Sequence, residues 1–177
     1  MANRETVKSF DCASLCGALF HAFTPSPIHS FTRQMFNPSR DQARLFFFDI
    51  WRKYRAGEPL SGLEKVALEV ISLHPEYHAL LDAPERYLDH DYAPEDGAIN
   101  PFLHLSLHLA VEEQLSIDQP PGIRAHFERI ALATGAEHDA KHALLECLAE
   151  TIWQAQRAGA APDQAWYLAC LQKRFRK

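Results

Sequence analysis

Asn100-Pro-Phe-Leu-His104-Leu-Ser-Leu-His108-Leu-Ala-Val-Glu112 and, further along, His138-Asp-Ala-Lys-His142-Ala-Leu-Leu-Glu146 both spell His-x₃-His-x₃-Glu. Positions i, i+4 and i+8 drift across only about 80° of a helix surface, so each triplet projects from one face. On a helical wheel, Leu103, Leu105, Leu107, Leu109, Val111 and Leu115 spread over roughly 240°. His104, His108 and Glu112 lie inside that arc, and Ser106 and Glu113 lie opposite. In the second segment Leu144, Leu145, Leu148, Ala149, Ile152 and Trp153 mark the apolar face, with His138, His142 and Glu146 among them and Asp139, Glu150, Gln154 and Arg157 turned away. Both segments therefore read as helices that carry imidazole and carboxylate groups inward.

A buried polar group without a partner costs on the order of 1–3 kcal/mol, so something must satisfy these side chains. For a lone inward histidine, a hydrogen bond to a carbonyl is the ordinary answer. Repetition argues for more. Ten histidines in 177 residues give by chance about half of one pair at spacing four, whereas three occur: His74/His78, His104/His108 and His138/His142. The expected answer is a divalent transition metal held by His104, His108, Glu112, His138, His142 and Glu146. Residues i and i+8 stand about 12 Å apart along a helix, so one ion cannot hold a whole triplet. Two antiparallel helices would set His104 near Glu146, His108 near His142 and Glu112 near His138, a frame for two ions about 3.5–4 Å apart. Iron is the first expectation, with manganese and zinc accepting the same donors. His78 and Glu69 are further candidates from a third helix. Pro75 suits a first helical turn, which makes His74 an N-cap or part of the preceding turn, so this pair need not share a face.

The rest of the chain punctuates itself as helices. A segment with Phe46, Phe47, Phe48 and Trp51 runs from Pro38 to Tyr54 and ends at Gly57. Ser61-Gly-Leu-Glu64 is a capping box for a helix to about Leu73, and short pieces follow Pro75 and Pro84. Asp89 to Gly97 reads as an acidic connection. Asn100 caps the first triplet helix, and Gln119-Pro-Pro-Gly122 separates it from a helix at 123–133. Gly135 and Gly159 bound the second triplet helix, and Pro162 opens a last helix with Trp166, Tyr167 and Leu171 on its packing side. No segment alternates as a strand should. The expected fold is all-α, an irregular bundle of five or six main helices in a single domain over 35–177.

Residues 1–34 lack any period and read as a disordered or non-native leader. Met35 followed by Asn37-Pro38, a cap and first-turn pair, reads as the native start. An apolar fraction of 47% supports a substantial core, while a net charge of −5 gives no basic footprint for nucleic acid despite the cationic end at Lys173 to Lys177. No apolar run approaches the roughly 18–20 residues that cross a bilayer. Cys12, Cys16, Cys147 and Cys170 show no zinc or redox spacing. Their scatter suits a reducing cytoplasm, and Cys147 reads as a small buried hydrophobe. A homo-oligomer is compatible with the sequence, and no substrate is legible in it.

From Met35 onward the chain resembles a proteobacterial family described only as a domain of unknown function, number eighteen forty-one. The words that carry the likeness are Met35-Phe-Asn-Pro-Ser-Arg-Asp-Gln, Trp51-Arg-Lys-Tyr-Arg, His74-Pro-Glu-Tyr-His78, Asn100 to His108, Glu112-Glu-Gln-Leu-Ser-Ile-Asp-Gln-Pro-Pro-Gly122 and Trp153-Gln-Ala-Gln. The likeness implies bacterial origin and no activity, so function rests on the triplets. Two readings follow. One is a non-haem dimetal protein, analogous in architecture to ferritin-like and haemerythrin-like bundles, that handles oxygen, electrons or metal. The other is an interaction module whose buried histidines and glutamates form a hydrogen-bond network that sets helix register.

Overall fold

The structure, a computed structural model, describes residues 40–92 and 100–174. The expected leader, the start at Met35 with its Asn37-Pro38 cap, Cys12 and Cys16 lie outside those residues, as does most of the acidic connection. The described residues hold eight α-helices and no strand: α1 Arg40–Ala56, α2 Gly62–Ser72, α3 His78–Leu81, α4 Pro84–Tyr87, α5 Pro101–Ile117, α6 Ile123–Thr134, α7 Glu137–Ala158 and α8 Gln164–Arg174. A 3₁₀ turn at Pro75–Tyr77 joins α2 to α3. The all-α reading holds, and the helix count exceeds the five or six expected because the pieces after Pro75 and Pro84 each close one turn of their own.

Local chemistry explains the boundaries. The Asn100 side chain accepts from the N–H groups of Phe102 and Leu103 at 3.0 and 3.2 Å, satisfying two donors that the first turn of α5 leaves unpaired. At α2 the expected capping box is formed, with the Ser61 N–H donating to the Glu64 carboxylate at 2.6 Å. Helix α8 begins two residues later than Pro162 suggests because Asp163 is the better cap: its carboxylate accepts from the N–H groups of Ala165 and Trp166 at 2.8 and 3.1 Å. Gly159 stops α7 at φ +60°, in the left-handed region where a side chain would be strained.

Helix α5 is central. Leu103, Leu107 and Val111 pack with Ile123, Ile130, Leu144, Leu148, Ile152, Tyr167 and Leu171 of α6, α7 and α8. Its opposite side, Phe102, Leu105 and Leu109, packs with Phe47, Ile50, Trp51, Val70 and Ile71 of α1 and α2. Two apolar layers on one helix account for the wide arc of leucines in its sequence. The buried Arg44 ties α1 to this second layer, with its guanidinium donating to the carbonyls of Tyr87 and Leu88 and lying 5.3 Å from the Phe102 ring centre. On the other side Tyr167 of α8 donates to the Gln114 side chain of α5 at 3.1 Å.

Cys147 and Cys170 form a disulfide between α7 and α8, with Cα atoms 5.9 Å apart. This corrects the reading of Cys147 as a small hydrophobe: the residue is buried, but its sulfur is bonded. Spacing could not show it, because the pair becomes adjacent only when α8 folds back on α7. The cysteine argument for a reducing compartment loses its support. Among the described residues no helix is long and apolar enough to cross a membrane.

Candidate metal centre

His74, His108, His138 and His142 each offer a ring nitrogen, and these nitrogens all lie within 4.8 Å of one another. His74 and His108 are buried, at 1% and 0% exposed, while His138 and His142 are half-buried. His104 adjoins the group, its Nε2 standing 3.0 Å from Nε2 of His74. Three elements supply the five rings: the end of α2 brings His74, the first half of α5 brings His104 and His108, and the first turns of α7 bring His138 and His142.

His74 sets the chemistry of the cluster. Its Nδ1 lies 2.7 Å from the carbonyl of Val70, which can only accept, so Nδ1 carries the proton. In the neutral ring Nε2 is then a bare lone pair, aimed at Nε2 of His104 at 3.0 Å and at Nε2 of His138 at 3.3 Å. One lone pair accepts one well-aligned N–H, so two such neighbours are one too many for hydrogen bonding alone. The shortfall is larger deeper in. Both ring nitrogens of His108 and Nε2 of His142 are buried without any hydrogen-bond partner. Each such orphan costs about 1–3 kcal/mol, and native interiors rarely gather three at one point.

A cation held by one nitrogen of each ring would relieve all but one of these, since the second nitrogen of His108 points away from it. Two nitrogens bound to one ion at about 2.0–2.1 Å, on adjacent corners of its coordination sphere, stand roughly 2.8–3.4 Å apart. The contacts of 3.0 and 3.3 Å from His74 fall in that range. Opposite corners stand about 4.0–4.2 Å apart by the same bond lengths, so the outer limit of 4.8 Å calls for a closure of about 0.6–0.8 Å. Burial keeps the rings ready to bind. Desolvation, with mutual repulsion among the histidines second, holds His104 down at about 3 and His108 at about 2 and also lowers His138 and His142, so the four stay neutral at ordinary pH. Outside them the Tyr77 ring stacks on His74, centres 5.7 Å apart and planes 5° from parallel, and burial pushes its phenol up to about 12.

The expected ligands divide. His104, His108, His138 and His142 meet as anticipated, and the anticipated pair His108–His142 has ring centres 4.8 Å apart. The register is otherwise shifted by a turn: His104 faces His142 at 5.2 Å in place of Glu146, and His138 faces His108 at 5.3 Å in place of Glu112. Glu112 forms an ion pair with Lys141 at 2.5 Å, and Glu146 pairs with Arg174 of α8. An α-helix drifts forward by about 40° over four residues, so the third position of each triplet rotates off the shared face. Glu69 is exposed on α2. His78 contributes Nε2 to the Ile71 carbonyl at 3.0 Å and lies against Trp51, ring centres 4.4 Å apart. His78 is the member of that pair expected near the metal, but the ring that joins the cluster is His74. Pro75 is the reason: it interrupts the helix, and the extended turn at His74, φ −124°, swings that ring toward α5 and α7. The signal was the third His-x₃-His pair itself, whose first member stands immediately before the proline.

Fold and site together define an all-α protein with a buried, imidazole-only cluster at the junction of three helical segments. The chain belongs to the family described as domain of unknown function DUF1841, whose model matches residues 39–173. No curated protein and no solved structure matches it.

Proposed function

We propose that this protein binds one transition-metal ion through His74, His104, His108, His138 and His142, and that the ion is its functional centre. The observation that carries the reading is that the His108 and His142 rings hold buried nitrogens without partners and each offers a nitrogen that converges with those of His74 and His138. A two-ion cage would need Glu112 and Glu146 as donors, and both are engaged with cations, so a single ion fits better than two. Imidazole donors suit iron, zinc, copper and nickel, and suit manganese least, since manganese favours oxygen ligands. His104 as a fifth donor beside the four converging rings would exceed the four that structural zinc takes, which favours iron over zinc and gives the centre a redox or metal-handling role.

The test is metal content. Full-length protein purified without a metal-binding tag should carry close to one equivalent of a transition metal by plasma emission spectrometry, or take it up from a stoichiometric solution. His108→Ala with His142→Ala should abolish uptake and erase the metal-dependent rise in melting temperature. Protein that neither carries nor acquires metal, and melts identically with and without added ion, would establish the alternative: an interaction module in which the histidines only pack and hydrogen-bond.

A further inference from the structure

The charge account of the cluster points to a ligand beyond the protein. Neutral imidazoles bring no charge, so a divalent ion among them leaves two positive charges in the interior, and a bound cation is commonly the largest charge in such a site. Uncompensated charge in a low-dielectric interior is costly. The carboxylates near the cluster do not offset it from within. Glu112 is paired with Lys141 and Glu146 with Arg174. Glu76, in the turn after His74, and Asp139, beside His138, are exposed on the outer side, where water screens them.

Donor count agrees with charge. The four converging imidazoles, with His104 beside them as a fifth, leave at least one position of a six-coordinate ion unfilled. The surroundings limit what could fill it. His74 and His108 lie in the interior, and the His108 nitrogens and Nε2 of His142 have no contact with solvent. Only a ligand of a few atoms fits among rings whose nitrogens lie within 4.8 Å of one another.

We propose that the metal-loaded cluster takes up a small exogenous monoanion, of the size of hydroxide, fluoride or azide, as its additional ligand. This rests on the metal reading above and extends it from an ion to the class of molecule the ion meets.

Cobalt(II) and sodium azide make the test. The full chain is loaded with cobalt, the ion count per chain is measured, and azide is titrated while the visible spectrum is recorded. The expected result is a shift of the cobalt bands that saturates at one azide per ion and is reversed by competing fluoride. Stoichiometric cobalt whose spectrum ignores azide up to a large excess would overturn the anion proposal and leave metal binding standing. Failure of cobalt, zinc and iron alike to bind would remove both.

Discussion

Lys141 keeps a carboxylate out of the imidazole cluster. It stands between His138 and His142 on α7, and its ammonium takes Glu112 at 2.5 Å, leaving the imidazoles to themselves. Glu146 is drawn outward by Arg174 in the same way. Partly exposed ion pairs of this kind contribute about 0–1 kcal/mol. Glu112→Gln and Glu146→Gln are therefore expected to shift the urea midpoint only slightly and to leave metal stoichiometry at one; loss of the ion in either variant would restore the carboxylate to the donor set. His74→Gln should behave oppositely, since it removes the lone pair that the Val70 carbonyl orients. We expect at least a tenfold loss of metal affinity, in line with removal of a ligand held by an outer hydrogen bond. At this scale the sequence was legible for four of the five rings, because helical spacing is a local property. His74 was not legible as a partner, because its ring direction depends on the backbone turn at Pro75.

Helix α5 is the element on which the centre depends, since it carries two of the rings and lies between both apolar layers. Its N-terminus is held by the Asn100 side chain. Asn100→Ala should cost about 1 kcal/mol of stability by removing that cap, measured as a lower urea midpoint at unchanged slope. An unshifted midpoint would show that Pro101 and packing hold the first turn unaided. Helix α8 is held to α7 by the Cys147–Cys170 bond across 23 residues of sequence. Closing a loop of that length removes on the order of 3 kcal/mol of unfolded-chain entropy. Cys170→Ser should thus melt earlier than the oxidised parent and respond no further to reductant, whereas equal melting of the two would show that the bond does not form in solution. Helix existence and most boundaries were readable from caps, glycines and prolines. The pairing of α7 with α8 was not, because no local rule brings residue 170 back to residue 147.

Across the whole molecule the buried histidines make stability depend on pH in a definite direction. Burial holds His104, His108, His138 and His142 below the ordinary histidine value. The unfolded chain therefore takes up protons near pH 6.5 while the folded chain does not, so the unfolded state binds more protons as pH falls. The metal-free protein should be at full stability above about pH 7 and lose it progressively down toward about 2, with the metal-loaded protein falling more steeply because protons also displace the ion. Urea midpoints of the metal-free form at pH 7.5 and 5 check this; a midpoint that rose on acidification would mean that the rings gain protons on folding. Composition, periodicity and capping residues determined an all-α chain with imidazoles turned inward on two helices, since those features act within a few residues of each other. Only the tertiary structure decided which groups meet. It placed His74 among the rings, sent Glu112 and Glu146 to cations on neighbouring helices, and left ring nitrogens facing a common point, because register between helices is set by the packing of whole layers and not by the spacing along any one of them.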